Sequence, residues 1–224
     1  MNMISGFKEN NGDRTVIKDV DPNAIEILVN YIYSTYEIKN VITGDNVQDL
    51  LAAANLLQLW EVKEECCKFL LNGLDLTNCF NIKSVAKGYD CPKLLAATTQ
   101  FIATNFKKIV DTSEFYGLEH QEVSDLIASD NINAPNEEKV YESVVAWVKH
   151  DAKIRSQHLP SLMHHVRLPL ISQDYLTALI NNEDPLFEGY PECQRDIKEA
   201  LRFHLNGRKT IDPSSSRPRP SIAA

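Results

Sequence analysis

Apolar positions along the chain recur mostly at helical spacing. Ile25, Leu28, Val29 and Ile32 stand at i, i+3, i+4 and i+7, and Asp21-Pro22 ahead of them offers a cap and a proline for the first helical position. The same spacing returns at Val47, Leu50, Leu51 and Ala54, and again at Val62, Cys66, Phe69 and Leu70, where Gly73 is placed to end the helix. Asp75 can cap a helix running through Phe80, Ile82 and Val85 to Gly88, and Cys91-Pro92 opens another carrying Leu94, Leu95 and Phe101. Asp111-Thr-Ser-Glu114 reads as a capping box with Asp in the leading position. A short amphipathic helix is expected over Glu119–Ser129, and Asn136 caps a strong one in which Val140, Val144, Trp147 and Val148 share a face. Helical segments follow around Ser156–His165, Ser172–Asn181 and Glu192–Asn206. Arg167-Leu-Pro-Leu-Ile171 links the first two of these without helix, because Pro169 disfavours helical backbone at the residue before it.

Against this pattern stands one convincing strand, Thr15-Val-Ile-Lys-Asp-Val20, which is β-branched and follows the turn signal Asn11-Gly12-Asp13. The expected fold is therefore mainly α. Short helices joined by brief connections point to stacked helical hairpins, each pair burying its apolar face on the next.

Composition narrows the class without redirecting it. The 224 residues are 43% hydrophobic and 24% charged, as in ordinary globular chains. Acids outnumber bases 31 to 23, for a net charge of −8, which argues against a nucleic-acid or anionic-membrane binder. No apolar run approaches the ~20 residues that span a bilayer. Met1-Asn-Met-Ile-Ser-Gly-Phe-Lys8 has no basic segment leading into an apolar one, so no secretory signal is expected and the chain reads as intracellular. Five cysteines without repeated spacing fit reduced thiols in such a compartment.

The C-terminal stretch differs from the rest. From Leu205 onward, Arg208, Lys209, Arg217 and Arg219 face the single acid Asp212, and Pro213-Ser-Ser-Ser-Arg-Pro-Arg-Pro220 offers almost nothing apolar to bury. A disordered linker over 206–224 is the expectation.

Catalytic signatures are missing: the sequence has no dinucleotide or phosphate loop, no nucleophile elbow and no His-Glu-x-x-His. His164-His165 are adjacent and would point about 100° apart on a helix, which does not suit chelation of one metal. Cys66-Cys67 has no second pair at zinc spacing, and Cys66 sits on the apolar stripe as a small hydrophobe. Cys67, Cys79 or Cys91 would need a depressed thiol pKa to sense redox state. Trp147 is expected in the core. Tyr33 and Tyr36, three apart, can form an exposed aromatic ridge suited to a partner. Phe7, between Gly6 and the polar run Lys8–Asp13, can act as an apolar knob beside the carboxylate of Glu9. No metal, cofactor or catalytic residue is expected.

Several stretches together resemble a known family. Ser5-Gly-Phe-Lys-Glu9, Val20-Asp-Pro22, Leu28-Val-Asn-Tyr-Ile-Tyr33, Asn46-Val-Gln-Asp-Leu-Leu-Ala-Ala-Ala54 and Leu56-Leu-Gln-Leu59 look like the C-terminal half of a BTB (POZ) domain, continued by Cys66-Cys-Lys-Phe-Leu70 and Asn78-Cys79. Ser129-Asp130, Glu137-Glu-Lys-Val140, Ala146-Trp-Val-Lys-His-Asp151 and His165-Val-Arg-Leu-Pro-Leu170 resemble the BACK domain of kelch-like proteins, and Arg217-Pro-Arg-Pro220 looks like their basic linker. The resemblance implies a partial BTB domain over 1–73, a 3-box and all-α BACK domain over 74–205 and the linker over 206–224. It also implies that the N-terminal half of BTB and the kelch propeller are not in this sequence, so the family's symmetric BTB dimer is not expected.

Family members act as non-enzymatic substrate adaptors of cullin-3 ubiquitin ligases in the cytoplasm. Their hydrophobic-x-Glu cullin contact matches Phe7-Lys8-Glu9, and the 3-box groove for the cullin's N-terminal extension falls near Asn78 to Phe106. Partners implied are the cullin-3 N-terminal domain and other BTB proteins, with no nucleic acid and no membrane. A second reading is a BTB/kelch-type cytoskeletal (actin-linked) scaffold. A BTB transcription regulator fits poorly, because zinc fingers are missing and the charge is −8.

Overall fold

The order of elements follows from where the apolar stripes can be buried. In the computed structural model, residues 20–33, 37–182, 184–206 and Arg219 are described. Nine longer helices run through them: α1 (Pro22–Tyr33), α2 (Val47–Leu56), α3 (Trp60–Asn72), α4 (Cys79–Gly88), α5 (Pro92–Thr104), α6 (His120–Ala128), α7 (Glu137–His150), α8 (Gln173–Asn182) and α9 (Pro191–Leu205). Short helical turns join them, and no strand occurs among the described residues. The expected strand over Thr15–Val20 lies outside the described residues except for Val20, which is a bend.

Contacts divide the chain into two units: Met1–Asp75 with Asn81–Thr98, and Leu76–Phe80 with Thr99–Ala224. In the first, α1 packs on α2 and α2 on α3. Val47, Leu50, Leu51 and Ala54 of α2 are all buried, as their spacing demands, and so are Val62, Cys66 and Leu70 of α3, while Phe69 stays partly exposed. Ile82, Ala86, Cys91 and Leu94 close the same core. The N-terminal cap of α1 forms as read, with the Ala24 amide donating to Asp21 Oδ1 at 3.0 Å.

The buried face of α1 overlaps the stripe its spacing indicated but is rotated from it, with Leu28 buried and Ile25 packed on the core. Ala24 and Leu28 point inward, whereas Val29 and Ile32 are exposed, Ile32 to 54%. Asn23, Glu26 and Asn30 mark the polar side of α1, but the apolar arc opposite them is wide and the four-residue stripe was only one part of it; packing on α2 chose the part carrying the small Ala24, which allows close approach.

The second unit is built around α7. Val140, Val144, Trp147 and Val148 are buried with Phe106, Phe115, Ile127, Leu159, Ile171 and Leu176. Asn136 caps α7 as expected, its side chain accepting from the Lys139 amide at 3.0 Å. Glu119 and Glu122 form a reciprocal capping box on α6. The box expected at Asp111 is displaced by one residue: Thr112 is the cap, accepting from the Phe115 amide at 3.4 Å, because it is Thr112 that takes extended backbone there. The link around Pro169 is one 3-10 turn, Leu168–Leu170, which proline's fixed φ permits at its first positions.

Two histidines in this unit couple its stability to pH. The rings of His120 and His158 stack at 4.2 Å, and His120 Nε2 lies 2.9 Å from Ser161 Oγ. Burial, then His158, pulls the His120 pKa below its ordinary 6.5. His165 Nε2 lies 3.0 Å from Ser124 Oγ, and burial, then His164 and Arg219, lowers its pKa likewise. Below pH 6.5 the unfolded chain therefore binds protons that the folded chain resists, so stability falls as pH drops from there through the lowered folded values. The melting temperature is expected to hold from pH 8 to about 7 and to decline between about 6.5 and 5, with His120→Gln reducing the slope. A flat melting temperature across that window would contradict this coupling.

Candidate functional site

Phe7 and Glu9, the candidate cullin-contact residues, lie outside the described residues, as does Tyr36. What the first unit shows is an exposed apolar and acidic surface. Trp60 is 66% exposed and Tyr33 86%, and Val29, Ile32 and Phe69 are exposed as well. Lys63 Nζ lies over the Trp60 ring, 5.3 Å from its centre, and donates to Asn55 Oδ1 at 2.9 Å. In the same unit, Tyr31, Glu37, Ile38, Lys39, Glu61, Glu64 and Glu65 line an open cavity of about 440 Å³. The Tyr31 hydroxyl donates to Glu61 Oε2 at 2.9 Å, and that hydrogen bond raises its pKa. Exposed aromatic side chains and acidic cavities of this kind each suit contact with a protein partner. Trp60 escaped the sequence reading because it starts α3 ahead of the first residue of the apolar stripe.

The cysteines are free thiols. Burial pushes the Cys66 thiol up to about 12. Cys67 is also pushed to about 12, by burial first and then by its hydrogen bond with Cys91. A thiol held this high stays protonated, so Cys67 lacks the depressed pKa that redox sensing requires. No group of three or more His, Cys, Asp or Glu side chains placed to hold a metal occurs among the described residues, and no described helix is long and apolar enough to cross a membrane.

In the second unit, the sequence stretches singled out above converge on one carboxylate. Glu137 begins α7, at the helix end where the backbone dipole favours an anion. Its Oε1 accepts from the Arg167 amide at 2.9 Å and from Arg219 Nη2 at 2.9 Å, and its Oε2 accepts from Arg219 Nε at 3.0 Å. Arg219 Nη1 donates to the Ser129 carbonyl at 2.7 Å, and Nη2 also reaches the His165 carbonyl at 3.2 Å. The Arg167 guanidinium pairs with Asp130. Next to Glu137, Glu138 Oε1 accepts from the Ser172 amide at 2.8 Å. The side chains of Arg219 and Glu137 are only 5% and 3% exposed.

Of the linker expected over 206–224, only Asn206 and Arg219 are described, and the Arg219 side chain is buried; residues 207–218 and 220–224 lie outside the described residues. At Arg219 one guanidinium makes four hydrogen bonds to three acceptor groups, a way of holding the chain that apolar burial does not measure. His164 is exposed and His165 half-buried, in the turn after the short helix Leu159–Met163. A pair separated by 82 residues has no local sequence signal. The available hint was an arginine in a stretch otherwise lacking anything to bury.

Two family models match the chain. The family model "BTB/POZ domain" matches residues 1–74, and "BACK: BTB And C-terminal Kelch" matches 79–181. Kelch-like protein 17 of Homo sapiens is 42% identical over 215 residues, 95% of this chain and 33% of that protein. Kelch-like protein 3 of Danio rerio is 41% identical over 226 residues, 99% of this chain and 37% of that protein. Kelch-like protein 3 of Bos taurus is 38% identical over 204 residues, 91% and 34% of the respective lengths. The chain spans about a third of the length of these curated relatives.

Proposed function

The chain belongs to the BTB–BACK family of kelch-like proteins, and from that premise we propose that it serves as a non-enzymatic adaptor module of a cullin-3 ubiquitin ligase in the cytoplasm. The observation that carries this reading is the succession of BTB and BACK matches along one chain at about 40% identity to kelch-like relatives. Phe7 is the apolar knob of the cullin contact and Glu9 its acid. The helices α4 and α5 cover most of the stretch Asn78–Phe106 that the resemblance offers to the cullin's N-terminal extension. Trp60 and the exposed residues of α1 give the first unit further apolar surface for protein contacts.

The alternative is an actin-linked scaffold with no ligase role. Co-purification with the cullin-3 N-terminal domain, run beside cosedimentation with filamentous actin, separates the two. Retention on the cullin domain with no actin pelleting supports the adaptor; actin pelleting without cullin retention refutes it.

A further inference from the structure

The cradle around Arg219 is a finished binding site rather than an incidental contact. Each acceptor is positioned by something other than Arg219. Glu137 is set by the first turn of α7 and by the Arg167 amide. Ser129 ends α6, where carbonyls lack partners within the helix. His165 is anchored by its ring's hydrogen bond with Ser124. Two carbonyls and a carboxylate converging on one buried point demand a cation. Their spread matches the planar fork of a guanidinium, whose Nε, Nη1 and Nη2 are all used here. A lysine ammonium is a point donor on a flexible stem and cannot meet the carboxylate side-on while also reaching both carbonyls.

We propose that the second unit carries an arginine-binding socket, formed by Glu137 and the Ser129 and His165 carbonyls, whose resident ligand is Arg219 of the same chain. The socket clasps the tail onto the unit in cis. Arg219 is tied to the end of α9 through residues 207–218, so its local concentration is on the order of millimolar, and any arginine-bearing partner segment must displace it. The clasp is independent of the cullin reading, since no cullin-contact residue takes part in it.

The test is fluorescence anisotropy with a labelled peptide of residues 214–224, titrated into the full-length wild-type chain and its R219A variant. R219A empties the socket without touching its walls. It is expected to bind the peptide saturably, and the wild type about tenfold or more weakly, because the tethered arginine competes. An R219K peptide should bind R219A about tenfold worse than the native peptide. Adding E137Q to R219A should abolish binding; glutamine keeps an acceptor for the Arg167 amide, so the loss reads the carboxylate's charge rather than misfolding, which circular dichroism checks. Equal affinity of wild type and R219A, no saturation of R219A at millimolar peptide, or undiminished binding by the E137Q/R219A variant would each overturn the socket.

Discussion

Trp147→Ala is expected to destabilise the second unit by about 3–5 kcal/mol, the range for truncating a buried aromatic residue to alanine. Trp147 is 2% exposed and the largest of the fully buried side chains. Three things are lost together. The indole's volume leaves a cavity among Val144, Val148 and their neighbours that rigid helices cannot close. The Leu118 carbonyl loses the Nε1–H that donates to it at 3.1 Å. The Arg155 guanidinium, 4.2 Å from the ring centre, loses the face it covers. Arg155 also donates to the Trp147 carbonyl and, at 2.7 Å, to the Tyr116 carbonyl, so the indole organises the chain from Tyr116 to Arg155. Trp147→Phe retains part of the volume and is expected to cost less than half as much. Urea denaturation followed by far-ultraviolet circular dichroism measures both, and a Trp147→Ala loss under about 1 kcal/mol would contradict this placement of the indole.

Trp147 was legible in the sequence, and the reason explains what else was. On α7 the apolar residues Val140, Val144, Trp147 and Val148 are set against Glu138, Glu142 and Lys149, so spacing alone identifies the buried face. The four-residue stripe of α2 was legible for the same reason. Asn136 could be read as a cap because capping is decided within four residues. On α1 the polar side is as plain, at Asn23, Glu26 and Asn30, but the apolar arc is wider than the buried contact, and which part of it faces inward was fixed by tertiary packing that the local pattern does not encode. Thr112 taking the cap in place of Asp111 is a choice between adjacent competent residues, settled by backbone conformation. Of the candidate sites, Phe7 beside Glu9 stood out as an apolar knob in a polar run, and the cullin role came from resemblance rather than periodicity. The Glu137–Arg219 pair came from neither, because its partners meet only once α6, α7 and the turn at His165 are assembled.

The second large effect concerns the proposed adaptor contact. An apolar aromatic anchor that fills a partner's pocket carries a disproportionate share of binding energy, so Phe7→Ala is expected to cost about 2 kcal/mol or more, roughly a 30-fold loss of affinity. Glu9→Arg should weaken binding by setting a positive charge where the contact requires a negative one. Both side chains belong to a polar N-terminal stretch, so neither change is expected to disturb the cores around α2 or α7. The measurement that bears most directly on the adaptor function is calorimetric titration of the cullin-3 N-terminal domain into the wild-type chain and these two variants. The expected result is saturable binding by the wild type, at least about 30-fold weaker for Phe7→Ala and clearly reduced for Glu9→Arg. Wild-type affinity in both variants, or no binding by the wild-type chain, would contradict it.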